Sequence, residues 1–229
     1  MSPWLSQARR ILAKDLKVTW RRKGWALSVL IFALLVVVVF SFAVGPNAKL
    51  LRQLSGGLLA FALLSASVLT LNESFRQEEE ERGMLGLRLL GVSPSAVFLG
   101  KSIANALILV ALGPPLFIAA TVFFDLSPSL ASTGQVALLW LLTSTGLAAP
   151  GTLYAAMSNR TVARDVLLPV LLFPLVVPVL LGSSRAFGLA LDGDPMSQIG
   201  SWIGFLFAFN AVYWILGTAL FSAILEDGR

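Results

Sequence analysis

The feature of this sequence most able to do chemistry is a dense group of carboxylates. Glu73 precedes four consecutive glutamates, Glu78 to Glu81, so five acidic side chains fall within nine residues. Charges at this density are not stable in the hydrocarbon of a membrane. The group therefore predicts a polar segment that meets a soluble partner.

Catalysis by the usual side chains is not expected from this composition. The sequence has no histidine and no cysteine, so it lacks the commonest metal ligand, the usual general base near neutral pH, and any thiolate or disulfide. Gly100-Lys101-Ser102 matches the end of a phosphate-binding P-loop, but Ser95 stands where the motif needs its first glycine. We interpret Lys101 as a boundary lysine whose ammonium reaches water, and we expect a protein that is not an enzyme.

The apolar residues predict an all-α polytopic membrane protein. Hydrophobic residues make up 57% of the chain and charged residues only 13%, far from the composition of a soluble domain. About 20 apolar helical residues cross a bilayer. Six runs qualify and leave no room here for a soluble domain, so residues 1–229 are expected to form a single transmembrane domain; the first run is too long for a signal peptide and should stay as an anchor. The spans predicted are 25–44, 54–71, 102–124, 136–157, 166–182 and 202–225.

The basic residues predict the orientation of these spans. Seven precede Trp25, four lie between spans two and three, two follow span four and one ends the chain, whereas the other side has only Lys49, Arg52 and Arg185. By the positive-inside rule, both termini and the acidic segment lie in the cytoplasm. Topology and anionic lipid account for the net charge of +5, so nucleic-acid binding is not expected.

Residues 4–23 predict an amphipathic helix lying in the membrane interface. Its apolar face carries two tryptophans, and its polar face is basic, which is typical of interfacial helices. The apolar face is formed by Trp4, Ala8, Ile11, Leu12, Leu16 and Trp20.

Prolines are the second feature of the spans. Pro169, Pro174 and Pro178 fall in one short span, which indicates either a broken or strongly bent helix or ordinary membrane-helix irregularity. No charged residue falls in a predicted span core, which disfavours secondary active transport.

The segment from 73 to 101 between spans two and three is the candidate functional site. Glu78 and Arg82 have the i, i+4 spacing of a helical ion pair, and Gly83 can end such a helix. A short apolar helix could follow before Ser93-Pro94; a merely solvated, topology-setting loop is the alternative. The candidate docking residues are Phe75, Arg76, Glu78, Glu79, Glu80, Glu81, Arg82, Gly83, Leu85 and Leu89.

The run Glu78–Pro94, followed by Ser95–Lys101 and Ala104-Asn105, resembles the loop between spans two and three of ABC-2-type exporter permeases, and in particular the haem exporter protein B family. The resemblance covers nearly the whole chain. It implies a membrane permease subunit of the bacterial inner membrane that acts in haem export and c-type cytochrome maturation. It also implies that this loop docks into a separate cytoplasmic ATPase, which holds the ATP, and that two copies assemble beside other membrane proteins of cytochrome c maturation.

Two other functions fit the loop alone: an ABC-2-type export permease for a lipid, polysaccharide or drug, and a non-transporting membrane assembly scaffold. The resemblance of Ser95–Asn105 favours the haem exporter.

Stable haem ligation is not expected. The sequence lacks histidine and cysteine, and its methionines are near the termini or the membrane edges. We therefore hypothesise that no cofactor is stably bound, that haem is at most a transported or handled ligand, and that the subunit transmits ATP-driven motion to haem delivery or to release of a haem chaperone.

Overall fold

The computed structural model describes residues 3–80, 92–158, 164–194 and 196–226, and all regular structure in these ranges is helical. This confirms the predicted all-α class. In chain order the helices are α1 Pro3–Arg21, α2 Lys23–Val44, α3 Ala48–Glu80, α4 Pro94–Ala111, α5 Gly113–Phe123, α6 Leu130–Ser158, α7 Arg164–Asp192 and α8 Ile199–Glu226.

Six segments of the described chain are long and apolar enough to cross a membrane, as predicted. They are α2, the first 27 residues of α3, the α4–α5 pair, most of α6, the second part of α7, and α8. The chain is therefore a multi-pass membrane protein in which α1 is an additional, amphipathic helix.

The third span is broken into two helices, whereas the fifth is not. Helix α4 ends at Ala111 and α5 begins at Gly113, with Pro114 in its first turn. Proline is favoured there because its missing N–H would have had no intrahelical partner. Helix α7 is continuous from Arg164 to Asp192 although it includes Pro169, Pro174 and Pro178. The broken helix considered for the fifth span is thus wrong, and the break lies in the third.

Contacts between helix ends define two faces of the bundle. On the first face, the ends of α1 and α3 meet the starts of α2 and α4, as Arg22 and Glu73 illustrate. On the opposite face, the end of α2 meets the end of α5 through a bond from Ser41 Oγ to the Phe123 carbonyl, 2.9 Å long. We call these the α1 face and the opposite face.

Both ends of the segment predicted as a polar loop over 73–101 are helical in the structure. Residues 73–80 continue α3, and residues 94–101 already belong to α4. A helix can carry glutamates beyond the apolar part of a span because its backbone hydrogen bonds are internal wherever it runs. Only residues 81–93 separate the two helices.

The spans in the structure extend beyond the predicted runs and include charged residues near their ends, three of which matter for the sites described below. Glu73 lies near the end of the second span, Lys101 seven residues inside the third, and Arg185 seven residues before the end of the fifth. The helices extend beyond the apolar runs visible in the sequence, and so they include charges that had been assigned to loops.

Candidate functional site at the α1 face

The structure places five of the ten candidate docking residues on one helix. Phe75, Arg76, Glu78, Glu79 and Glu80 all belong to the last turns of α3. Glu81, Arg82, Gly83, Leu85 and Leu89 lie outside the described residues. The first three of the four consecutive glutamates, Glu78 to Glu80, are therefore continuous, through one helix, with a membrane span.

Glu73 anchors the end of this helix to the start of α2. Its carboxylate is only 7% exposed and accepts a hydrogen bond of 3.1 Å from Arg22 Nη1. Arg76, one turn further along α3, donates to the other oxygen from Nε at 2.8 Å and from Nη2 at 2.6 Å. Two guanidinium groups thus compensate one buried carboxylate, as a charge removed from water requires.

Lys101 forms a second buried ion pair, between α4 and α1. Its side chain is 1% exposed, and its Nζ lies 3.2 Å from Asp15 Oδ2. The same ammonium lies 3.4 Å from the main-chain carbonyl of Ser74, next to Glu73 on α3. Our interpretation of Lys101 as a lysine that reaches water is wrong, because α1 covers it and supplies the carboxylate it needs.

Close backbone packing seats α1 on α4. Gly100 has so little free space that a Cβ atom there would lie 2.8 Å from the Ala8 carbonyl oxygen and 2.8 Å from Ile11 Cβ. Ala8 and Ile11 are buried in this contact. At the end of the contact, Gln7 Oε1 accepts a hydrogen bond from the Ser93 main-chain N–H at 3.2 Å. Helix α1 therefore packs on the protein along one side.

The start of α4 is also fixed to α8. Ser93 caps α4 by accepting a bond from the Ala96 N–H at 3.4 Å. One turn later, the fully buried ring of Phe98 packs against Phe221 and Trp214, with ring centroids 5.5 and 6.3 Å away. A displacement of the Ser93 end of α4 would therefore reach both α1 and α8.

Polar groups continue from this cluster toward the middle of the bundle. A cavity of about 10 Å³, near the volume of one water molecule, is lined by Asp15, Glu73 and Asn105 among others. The Asn105 amide donates to Thr152 Oγ1 on α6 at 3.1 Å. Helix α6 is thereby linked to the same cluster.

Together these contacts form one charged cluster, which we call the α1 clamp: Asp15, Arg22, Glu73, Arg76 and Lys101. It joins α1, α2, α3 and α4: Glu73 and Arg76 directly precede the glutamates on α3, and Lys101 lies about two turns after Ser93 on α4. Such an arrangement can transmit a displacement of residues 78–93 to several helices at once, since packed helices move as rigid elements.

Sequence reasoning missed most of the α1 clamp, although one signal was present. Asp15 is the only acidic residue before Glu73, in a helix with five basic residues. It follows Ala8 and Ile11 at helical spacing, so it lies on the same side of α1 as these buried residues. An isolated carboxylate on the packed side of a basic helix predicts a buried cationic partner, which is Lys101.

No group of three or more His, Cys, Asp or Glu side chains able to hold a metal occurs among the described residues. The fold and the cluster define a six-span membrane protein with buried ion pairs at one face. The chain belongs to the CcmB protein family, whose pattern matches residues 6–227.

Known relatives match over nearly their whole length. Heme exporter protein B of Bradyrhizobium diazoefficiens is 33% identical over 220 residues, which is 95% of this chain and 96% of that protein. The protein of the same name from Pseudomonas aeruginosa is 32% identical, covering 86% of this chain and 88% of the relative. Its counterpart from Escherichia coli K12 is 29% identical, covering 92% and 94%.

Proposed function

We propose that this chain is the membrane permease subunit of an ATP-driven haem exporter that serves the maturation of c-type cytochromes. The observation that carries the proposal is the family match over residues 6–227, together with relatives named Heme exporter protein B that align along almost their entire length. Six membrane spans fit a permease.

A separate ATPase subunit supplies the energy in this proposal. The sequence holds no complete nucleotide-binding motif, since Ser95 replaces the required glycine. The ATPase docks on the acidic end of α3 and on the segment that follows, where Glu78 to Glu81 attract a basic groove. The permease assembles as a homodimer with other cytochrome c maturation proteins.

The membrane of this proposal is the bacterial inner membrane, with both termini in the cytoplasm. The α1 face carries the described basic side chains of α1 and those at the starts of α2 and α4. Their excess over the opposite face supports a cytoplasmic α1 face by the positive-inside rule. In this orientation α1 lies in the cytoplasmic interface, where Trp4 and Trp20 are exposed for contact with lipid headgroups.

The α1 clamp gives the coupling a physical route. A movement of the ATPase displaces residues 78–93, and the two ion pairs at Glu73 and Lys101 pass the displacement to α1, α2 and α3, while Phe98 passes it to α8. No axial haem ligand is required for this role, which agrees with the absence of histidine and cysteine.

Deletion of the gene tests the proposal. In a strain that lacks it, haem staining of membrane and periplasmic proteins should show no c-type cytochromes, and expression of the wild-type chain should restore them. Normal c-type cytochromes in the deletion strain, with b-type cytochromes as an internal control, would remove the proposed function.

A further inference from the structure

A polar cleft of about 680 Å³ opens between α3, α7 and α8 at the opposite face. It is far from the α1 clamp, because its walls come from the start of α3, the end of α7 and the start of α8. The lining side chains that matter here are Gln53, Arg185, Gly188, Asp192, Gln198 and Trp202.

The most informative of these residues is Arg185, because its charge lies within the helical segment long and apolar enough to form the fifth span. The fifth span ends at Asp192, seven residues later, so Arg185 is about 10 Å from the end of the helix. A charge at this depth is costly unless it lines a water-filled cavity or meets a partner, and it usually marks a binding site or a pathway. Arg185 is exposed in the cleft and makes no ion pair with any residue that the structure describes.

The cleft is lined by both polar and apolar side chains, which lie at different distances from its mouth. Asp192 and Gln198 are at its mouth, where α7 ends and α8 begins. Trp202 lies one turn further along α8, and Arg185 lies two turns below the end of α7. A guanidinium is a planar donor that fits a carboxylate with two parallel hydrogen bonds. The indole of Trp202, nearer the mouth of the cleft, offers a flat apolar surface.

Helix packing leaves this space open. Gly56 brings α3 into direct contact with the backbone of α7 at Ser184 and Gly188, so the two helices cross closely beside the cleft. A Cβ atom on Gly188 would have no neighbour within 4 Å, so this position, one turn after Arg185, has room for a side chain. The cleft is thus bounded on one side by the close crossing of α3 and α7, and its wall includes the guanidinium of Arg185.

From this geometry we infer that the cleft is a binding site for an amphipathic organic carboxylate, which enters with its carboxylate toward Arg185 and rests its apolar body on Trp202. The assignment of the ligand rests on the proposed function. The propionate groups of a porphyrin are carboxylates attached to a flat apolar ring. Recognition of the porphyrin through these carboxylates needs no axial ligand from the protein. The site would hold the carboxylate at the face of the membrane opposite to the ATPase.

The test uses the full chain in lipid nanodiscs and two metal-free probes, protoporphyrin IX and its dimethyl ester, with binding measured by porphyrin fluorescence anisotropy against empty nanodiscs. The wild-type protein should bind the dicarboxylic acid about tenfold more tightly than the ester, since a charge-assisted bond is lost in the ester. Arg185→Gln should abolish this preference. Arg52→Gln, which removes another exposed arginine of the same face, should preserve it.

A second variant tests the cleft independently of charge. Gly188→Leu places a side chain in the cleft and should weaken binding of both probes. Gly204→Leu, at an α8 glycine that also has no neighbour within 4 Å but does not line the cleft, should leave both unchanged. Equal binding of acid and ester by the wild-type protein would overturn the inference. So would an unchanged preference in Arg185→Gln, even if Gly188→Leu weakens binding, because the cleft would then hold only an apolar ligand.

These outcomes are separate from those of the gene deletion. If c-type cytochromes require the gene but binding shows no carboxylate preference, the cleft assignment fails alone. If binding depends on Arg185 while c-type cytochromes are normal in the deletion strain, the haem exporter fails and the carboxylate site stands.

Discussion

The ammonium of Lys101 lies 3.2 Å from the carboxylate of Asp15, and the lysine is 99% covered by protein although it lies near the α1-face end of a span. This pair makes α1 a part of the helix bundle. It also places a buried charge pair within two turns of Ser93, where the segment after the acidic block enters α4.

Removal of either partner of this pair should destabilise the protein, since the remaining charge stays buried. Lys101→Met should lower the unfolding free energy by about 3 kcal/mol, and Asp15→Asn by a similar amount. The double variant should lose clearly less than the sum, with a coupling energy of about 1 kcal/mol or more. Thermal unfolding in detergent checks this, and strictly additive losses would show that the two side chains do not interact.

Glu73 and Asp125 provide a matched comparison of buried and exposed carboxylates. Glu73→Gln removes the negative charge and one of the two oxygens that accept from Arg22 and Arg76, and it should cost about 1–3 kcal/mol of stability. Asp125→Asn removes an exposed pair with Arg52 on the opposite face and should change stability by less than about 1 kcal/mol. The same thermal assay separates them, and equal effects would contradict the burial of Glu73.

The close approach of α1 to α4 predicts opposite effects for two Gly→Ala substitutions. Gly100→Ala forces a methyl group against Ala8 and Ile11 and should cost about 1–3 kcal/mol. Gly134→Ala, in α6 with open space around it, should be neutral or stabilise the helix by up to about 1 kcal/mol. A stabilising Gly100→Ala would mean that α1 does not pack on Gly100.

Phe98 joins α4 to α8 and should be sensitive to truncation. Phe98→Ala opens a cavity beside Trp214 and Phe221 and should cost about 3–5 kcal/mol. Phe207→Ala removes a ring that faces outward on α8 and should cost much less in a lipid nanodisc. Similar losses in thermal stability would argue against a packed junction between α4 and α8.

The sequence was sufficient for the fold class, the number of spans and α1, because these depend on long apolar runs and on helical periodicity. It failed at Glu73, Lys101 and Arg185, whose helices extend past the apolar runs. Burial of these charges depends on partners far along the chain, such as Asp15 for Lys101, 86 residues away. A hydropathy profile averages over one segment at a time, so it contains no information on ion pairs between distant segments.

The prolines show a similar limit. Of the prolines within α5, α6 and α7, only Pro114 and Pro115 coincide with a break in the described helices. Pro150 and the three prolines of α7 lie within continuous helices. A proline in the first turn begins a helix, whereas one in the middle removes a single hydrogen bond, and tertiary packing decides whether the helix continues.

The measurement that tests the coupling account most directly compares two carboxylate variants in the deletion strain. In one, Glu78, Glu79, Glu80 and Glu81 are all replaced by glutamine; in the control, Asp125→Asn neutralises an exposed carboxylate of the opposite face. For each, the membrane content of the chain, the amount of co-purified ATPase and the haem-stained c-type cytochromes are measured. We predict that the four-glutamine variant reaches the membrane at wild-type level, loses the ATPase and makes no c-type cytochromes, while the control keeps all three. Wild-type ATPase binding and cytochromes in the four-glutamine variant would contradict the account.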